Sequence, residues 1–176
     1  MGHSPGYAEL LFRSAMNEME FWSTDDRFGL RIEAVEVKKL LKLCERSIPN
    51  ETGGILLGRY STSLDCAVVT TVTGAPADSQ FGKTWFVRGV KGLQRRADSL
   101  WRRNREYYLG EWHFHPLGSP RPSCTDLRQL QEIADSEHYH CPEPVLLIIG
   151  GDPQGDCSAV AYVFRRERSH LEMHNR

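Results

Sequence analysis

The 176-residue chain has little with which to tie itself together covalently. Its five cysteines, Cys44, Cys66, Cys124, Cys141 and Cys157, are odd in number, and no two form a CxxC pair. A chain of this size buries roughly 70% of its unfolded surface, so it needs no disulfide framework. The thiols are therefore read as reduced and the compartment as cytoplasmic. A run of 18 or so consecutive apolar residues is also missing, which argues against a membrane-spanning helix. The first 22 residues have no basic segment followed by an apolar one, so no secretory signal is expected. Gly6 breaks the pattern for N-terminal myristoylation. An excess of charge of one sign is absent as well. Lys plus Arg number 22 against 23 for Asp plus Glu, and this balance gives no global reason to expect nucleic acid or a membrane surface as partner. There is no internal repeat and no low-complexity segment.

What remains is the length and composition of one globular domain. Residues 1–27 form a mixed leader with Gly and Pro, expected to pack on the core or extend it. Residues 28–34 suggest a short strand. The spacing of Val37, Leu40, Leu41 and Cys44 predicts a helix over 35–47. "ILLGRY" and "CAVVTTVTG" are β-branched, apolar runs bounded by turn residues, hence strands. Residues 75–85 look like a polar loop. Residues 89–106 predict an amphipathic helix with Val90, Leu93, Ala97, Leu100 and Trp101 on one face. A strand over 107–115 and a helix over 124–137 follow. Strands over 145–151 and 157–164 close the pattern, the first apolar on both faces and therefore central. The polar tail, 166–176, is expected to fray. The sum is an α/β fold, a mixed central sheet flanked by helices.

The densest chemistry lies in "GEWHFHPLGSPRPSCTDLRQL", residues 110–130. In a strand, His113 and His115 point to one face and Phe114 to the other. Their Cα atoms then lie ~6.6 Å apart, so the two imidazoles can converge on one ion. Pro116 ends the strand, and "LGSPRP" turns the chain. Ser123 is a natural helix N-cap with Asp126 at N3, so the carboxylate faces back toward the strand end. Two His and one Asp make a three-ligand set that leaves a fourth zinc position open, the catalytic pattern and not the closed structural one. An HxH pair alone is weak, and Ser-x-x-Asp alone is usually a helix cap. Their combination across a short loop is specific.

A hydrolytic metal site also needs a base, a carboxylate near the metal that does not ligate it. Glu51, in "NETGGILLGRY", precedes two glycines that let the backbone pass close to another element. Glu111 has the same strand parity as the two histidines, and composition does not choose between them. A second HxH, His138 and His140, falls at a helix end where i and i+2 side chains diverge; these are read as surface residues. No HExxH and no PCxxC occurs. Cys124 lies inside the stretch, but a complete metal set needs no thiol nucleophile. The stretch 88–106 carries Arg88, Lys91, Arg95, Arg96, Arg102, Arg103 and Arg105. It could bind nucleic acid or an acidic partner, yet is read as a solvated helix face.

"ETGGILLG" followed by "HFHPLGSPRPSCTD" resembles the JAMM motif of JAB/MPN-type zinc metalloproteases: Glu before a Gly-containing strand, then HxH, seven residues and SxxD. The resemblance covers residues 28–165 and implies a single JAB/MPN domain. It implies one zinc on His113, His115 and Asp126, Glu51 as general base, and Ser123 as partner of the oxyanion. Phe114 departs from the Ser or Thr of many members, and Glu111 from an aromatic. The implied reaction is hydrolysis of an isopeptide or peptide bond after a ubiquitin-like C-terminal tail, with the 75–85 loop where relatives hold a substrate-clamping insertion. Compact size and "GEWHFHP" look like the stand-alone bacterial members. Among these, the chain is similar to the deconjugating proteases of CBASS antiphage operons, where an E1/E2-like protein links the C-terminus of a nucleotidyltransferase, the cyclic-nucleotide synthase, to targets. A protease of a bacterial ubiquitin-like conjugation system, a RadC-like protein and a non-catalytic MPN module are the alternatives.

Overall fold

The computed structural model describes residues 18–176. The elements are β1 (Met19–Ser23), β2 (Gly29–Ile32), α1 (Ala34–Ser47), β3 (Thr52–Tyr60), β4 (Cys66–Val72), β5 (Gln80–Phe81), β6 (Phe86–Val87) and α2 (Leu93–Asn104). They continue with β7 (Tyr107–Pro116), α3 (Cys124–Asp135), a 3-10 turn (Glu137–Tyr139), β8 (Val145–Gly151), β9 (Cys157–Arg165) and β10 (Arg168–Asn175).

The main sheet is mixed, as its sequence implied, but it closes into a barrel in the order β1-β10-β9-β8-β7-β3-β4-β2. Its two parallel pairs, β2 with β4 and β7 with β8, each need a crossover. In the second, α3 makes that crossover across the barrel's outer face. β8 shows why both faces of its run are apolar. Leu147 and Ile149 join the barrel interior, while Leu146 and Ile148 pack outward against Leu130 and Ile133 of α3. Val37, Leu40 and Cys44 of α1 also join the interior cluster. None of the helices among the described residues is long and apolar enough to cross a membrane. All five cysteines are free; only Cys124 is exposed.

Three expectations are corrected. The tail does not fray: β10 pairs with β9 on one side and β1 on the other, closing the barrel. Leu171 and Met173 turn inward against the core, but that single alternation in a polar stretch is too weak to read as a strand. The leader supplies β1, the partner β10 needs, followed by a turn over 24–27; residues 1–17 lie outside the described residues. The 75–85 loop holds β5, which pairs with β6 in a small two-stranded hairpin.

The amphipathic stretch is the third to depart from expectation. It becomes helical only at Leu93, after the N-cap Gly92. The preceding backbone is held by Asp78, whose carboxylate accepts from the N–H of Val90 and of Lys91, each at 3.0 Å. No residue of α2 is buried. Leu93 and Ala97 instead line a cleft of about 370 Å³ with Ile55, Tyr108 and Tyr139.

Candidate metal centre

β7 alternates across the barrel wall. Trp112 and Phe114 enter the interior cluster, so Glu111, His113 and His115 face outward, as the strand parity requires. Phe86 of the hairpin meets the His113 imidazole edge-on, with ring centroids 5.5 Å apart.

After Pro116 the chain lies back against β8. A Cβ on Gly150 would stand 2.5 Å from Gly118 O and 2.6 Å from Pro120 N, so only glycine admits the loop there. The loop in turn brings Ser119 O to 3.1 Å from His115 Nδ1. An Nδ1–H donated to that carbonyl leaves Nε2 as the lone-pair nitrogen.

α3 begins with the expected capping box. The Ser123 backbone N–H and Oγ–H both donate to Asp126 Oδ2, each at 2.7 Å, and Ser123 Oγ accepts from the Asp126 N–H at 3.1 Å. The box occupies one carboxylate oxygen and aims the other. Oδ1 lies 2.9 Å from His113 Nδ1. Ligand atoms of His113, His115 and Asp126 all lie within 4.8 Å of one another. Ligands of a tetrahedral zinc at ~2.0–2.1 Å stand roughly 3.4 Å apart, so small side-chain movements bring this set onto one ion. Two nitrogens and a carboxylate oxygen are also the donor chemistry zinc takes.

The β3–β7 ladder supplies the rest. Its register pairs Thr52 with Phe114 and Gly53 with His113. Continued by one residue, it sets Glu51 against His115, on the same outer face. Gly53 makes the close approach possible: a Cβ there would meet Trp112 O at 2.4 Å and Phe86 Cε1 at 2.7 Å. The Glu51 N–H donates to Gly82 O of the hairpin turn at 2.8 Å, tying the segment 80–87 to the site.

Burial raises the pKa of the Glu51 carboxyl above its ordinary value, with Asp126 adding to the rise and His115 and His113 opposing it. Burial would lower His113, but hydrogen bonding to Asp126 and the nearby Glu111 outweigh it and push the imidazole up to about 9. Asp126 moves the other way, to about 2: burial opposes the shift, while His113 and Ser123 stabilise the carboxylate.

The sequence reading missed Arg88. It lies before α2, not on it, and is no part of a solvated face. Its Nε and Nη2 donate to Glu111 Oε1 at 3.0 and 2.6 Å, and the Tyr108 hydroxyl donates to the same oxygen at 3.3 Å. Both side chains are buried. A signal was present: an outward-parity Glu in an otherwise apolar strand, once covered, needs a cation. Glu111 is thereby taken up by Arg88, whereas Glu51 carries no such partner among the described hydrogen bonds and salt bridges. His138 and His140 lie exposed around the 3-10 turn.

Residues 33–164 match the family model described as prokaryotic homologues of the JAB domain. The chain is 41% identical over 154 residues to a CD-NTase/cGAS isopeptidase of Enterobacter hormaechei, covering 88% of this chain and 85% of that one. It is 31% identical over 121 residues to a protein of Sinorhizobium fredii named as a probable metalloprotease, covering 67% and 73%. A solution structure of a Desulfitobacterium hafniense protein superposes with a TM-score of 0.58 at 22% identity, over 82% of this chain and 88% of that one, a likeness of fold alone. With the barrel, the HxH strand end and the capped helix in place, the chain belongs to the prokaryotic homologues of the JAB domain.

Proposed function

We propose that this chain is a zinc-dependent isopeptidase of a CBASS antiphage system, hydrolysing the bond that an E1/E2-like protein forms at the C-terminus of a cyclic-nucleotide synthase. The observation that carries the reading is the convergence of His113, His115 and Asp126 beside Glu51. The substrate class is supported by the 41%-identical CD-NTase/cGAS isopeptidase. The catalytic domain is residues 28–165, with β1 and β10 completing its barrel.

His113, His115 and Asp126 would hold one zinc ion. When bound, zinc supplies Lewis acidity, polarising the scissile carbonyl and lowering the pKa of a water toward ~7. Glu51 takes the proton from the attacking water and passes it to the leaving amine. A carboxyl raised by burial suits a group that must both accept and return a proton near neutrality. Ser123 has one hydroxyl proton, which now goes to Asp126 Oδ2. Turning that proton toward a developing oxyanion keeps the Asp126 N–H bond to Oγ, so the helix cap survives the change. The β5–β6 hairpin has only two strands, and an extended substrate tail would add to its open edge as a third.

The test is cleavage of a reporter joined to a synthase C-terminal tail. Cleavage at the junction, lost on chelation and restored by zinc, is the expected result. Cleavage of a ubiquitin-like tail with no action on the synthase tail would overturn the substrate assignment.

A further inference from the structure

We infer that Glu111 is a positioning residue for the metal centre, accepting the Nε2–H of His113 so that Nδ1, the nitrogen on the Asp126 side, is the ligand. The inference deepens the proposed function and rests on its reading of His113 as a metal ligand.

Two orphaned atoms carry it. Glu111 Oε2 and His113 Nε2 are both buried without a hydrogen-bond partner. They lie 3.8 Å apart. Buried polar atoms are almost always paired, and a shift of less than ~1 Å brings this pair within hydrogen-bond range. The carboxylate is not free to turn toward another donor. Its Oε1 is held by the Arg88 fork and by Tyr108, which leaves Oε2 facing the imidazole. The guanidinium also balances the buried negative charge, so Glu111 stays an acceptor.

The other edge of the ring tells the same story. A neutral imidazole has one N–H. With that hydrogen on Nε2, Nδ1 presents a lone pair to Asp126 Oδ1 at 2.9 Å. In the metal-free site a proton on Nδ1 fills this gap as a hydrogen bond to Asp126, and zinc takes that proton's place when it binds. A metal-bound histidine generally donates its second nitrogen to a carboxylate or carbonyl. His115 follows that rule with the opposite edge, its Nδ1 resting on Ser119 O. The two histidines therefore use different nitrogens: Nδ1 of His113 and Nε2 of His115.

Histidine-labelled, zinc-loaded protein tests this by long-range proton–nitrogen correlation, which reads the tautomer of each ring. The expected spectrum has His113 protonated at Nε2 and His115 at Nδ1. A His113 ring protonated at Nδ1, or a protein that holds no zinc, overturns the inference. In Glu111→Gln, chelator competition is expected to show zinc held about 10–100-fold more weakly, with the circular dichroism unchanged. Wild-type zinc affinity in a folded Glu111→Gln also overturns it. Should that variant not fold, the wild-type spectrum decides alone. A wild type with the expected tautomer that cleaves no tail leaves Glu111 its role and sinks the proposed function; cleavage with zinc on His113 Nε2 does the reverse.

Discussion

Thr52 pairs with Phe114 at the end of the β3–β7 ladder, and the same register continued by one residue sets Glu51 opposite His115. That relationship brings a carboxylate from before β3 onto the same outer face as both histidines. Burial raises the pKa of that carboxyl, with His115 and His113 opposing the rise and Asp126 adding to it.

Glu51→Gln is expected to keep the zinc and lose the reaction. Removing a general acid/base lowers the rate by on the order of 10²–10⁴, whereas the three ligands are untouched. Metal analysis and tail cleavage measured together check this. Cleavage at the wild-type rate would remove Glu51 from the mechanism.

Ser123→Ala separates two roles. Loss of the cap costs about 1 kcal/mol of stability. Loss of an oxyanion partner would lower kcat further, by roughly 10²–10³, with little change in KM. A lower Tm with an unaltered kcat would leave Ser123 only as a helix cap.

pH acts on the metal-free site with a definite sign. The folded pKa of His113, about 9, lies above the ordinary 6.5. The stability it contributes is complete below pH 6.5 and is lost as pH rises through 9. Asp126, at about 2, lies below its ordinary 3.8, so its contribution is present above pH 3.8 and lost as pH falls through 2. The metal-free protein should therefore melt at lower temperature at pH 9 than at pH 6.5. Zinc binding requires the neutral imidazole, so apparent affinity should rise about tenfold per pH unit across this window. Chelator competition at several pH values measures it, and a flat profile would contradict the His113 assignment.

Gly53→Ala tests the close approach of strand, imidazole and Phe86. The new Cβ would stand 2.4 Å from Trp112 O, a backbone atom that cannot move alone. A loss of about 1–3 kcal/mol is expected, with weakened zinc binding. Calorimetry and metal titration check it; an unchanged Tm would show that β3 and β7 can separate there.

Arg88→Met leaves Glu111 buried without its cation. Breaking a buried pair from one side costs about 3–5 kcal/mol. Arg88→Met with Glu111→Gln should recover part of that loss, because no uncompensated charge remains. Denaturant melts of the single and double variants read the difference.

The sequence carried the local chemistry and the order of elements. Alternation in "WHFH" puts the imidazoles on one side and Phe114 on the other, because a strand has a period of two. Ser123 and Asp126 announce a capping box, because a helix start leaves N–H groups that a nearby oxygen must satisfy. These are short-range rules, and the structure follows them at residues 113–126. Pairing partners were not legible. β10 is too polar to read as a strand, and it exists because β1 and β9 satisfy its backbone from both sides. Arg88 read as one cation of a basic run, and only the fold over β7 shows that it answers Glu111. Between Glu51 and Glu111, parity and composition were even. The tertiary structure separates them: register sets one carboxylate beside His115, and the Arg88 fork fixes the other behind His113. Such contacts join residues far apart in the chain. Sequence spacing determines which side chains share a face, and only closure of the barrel decides what that face meets.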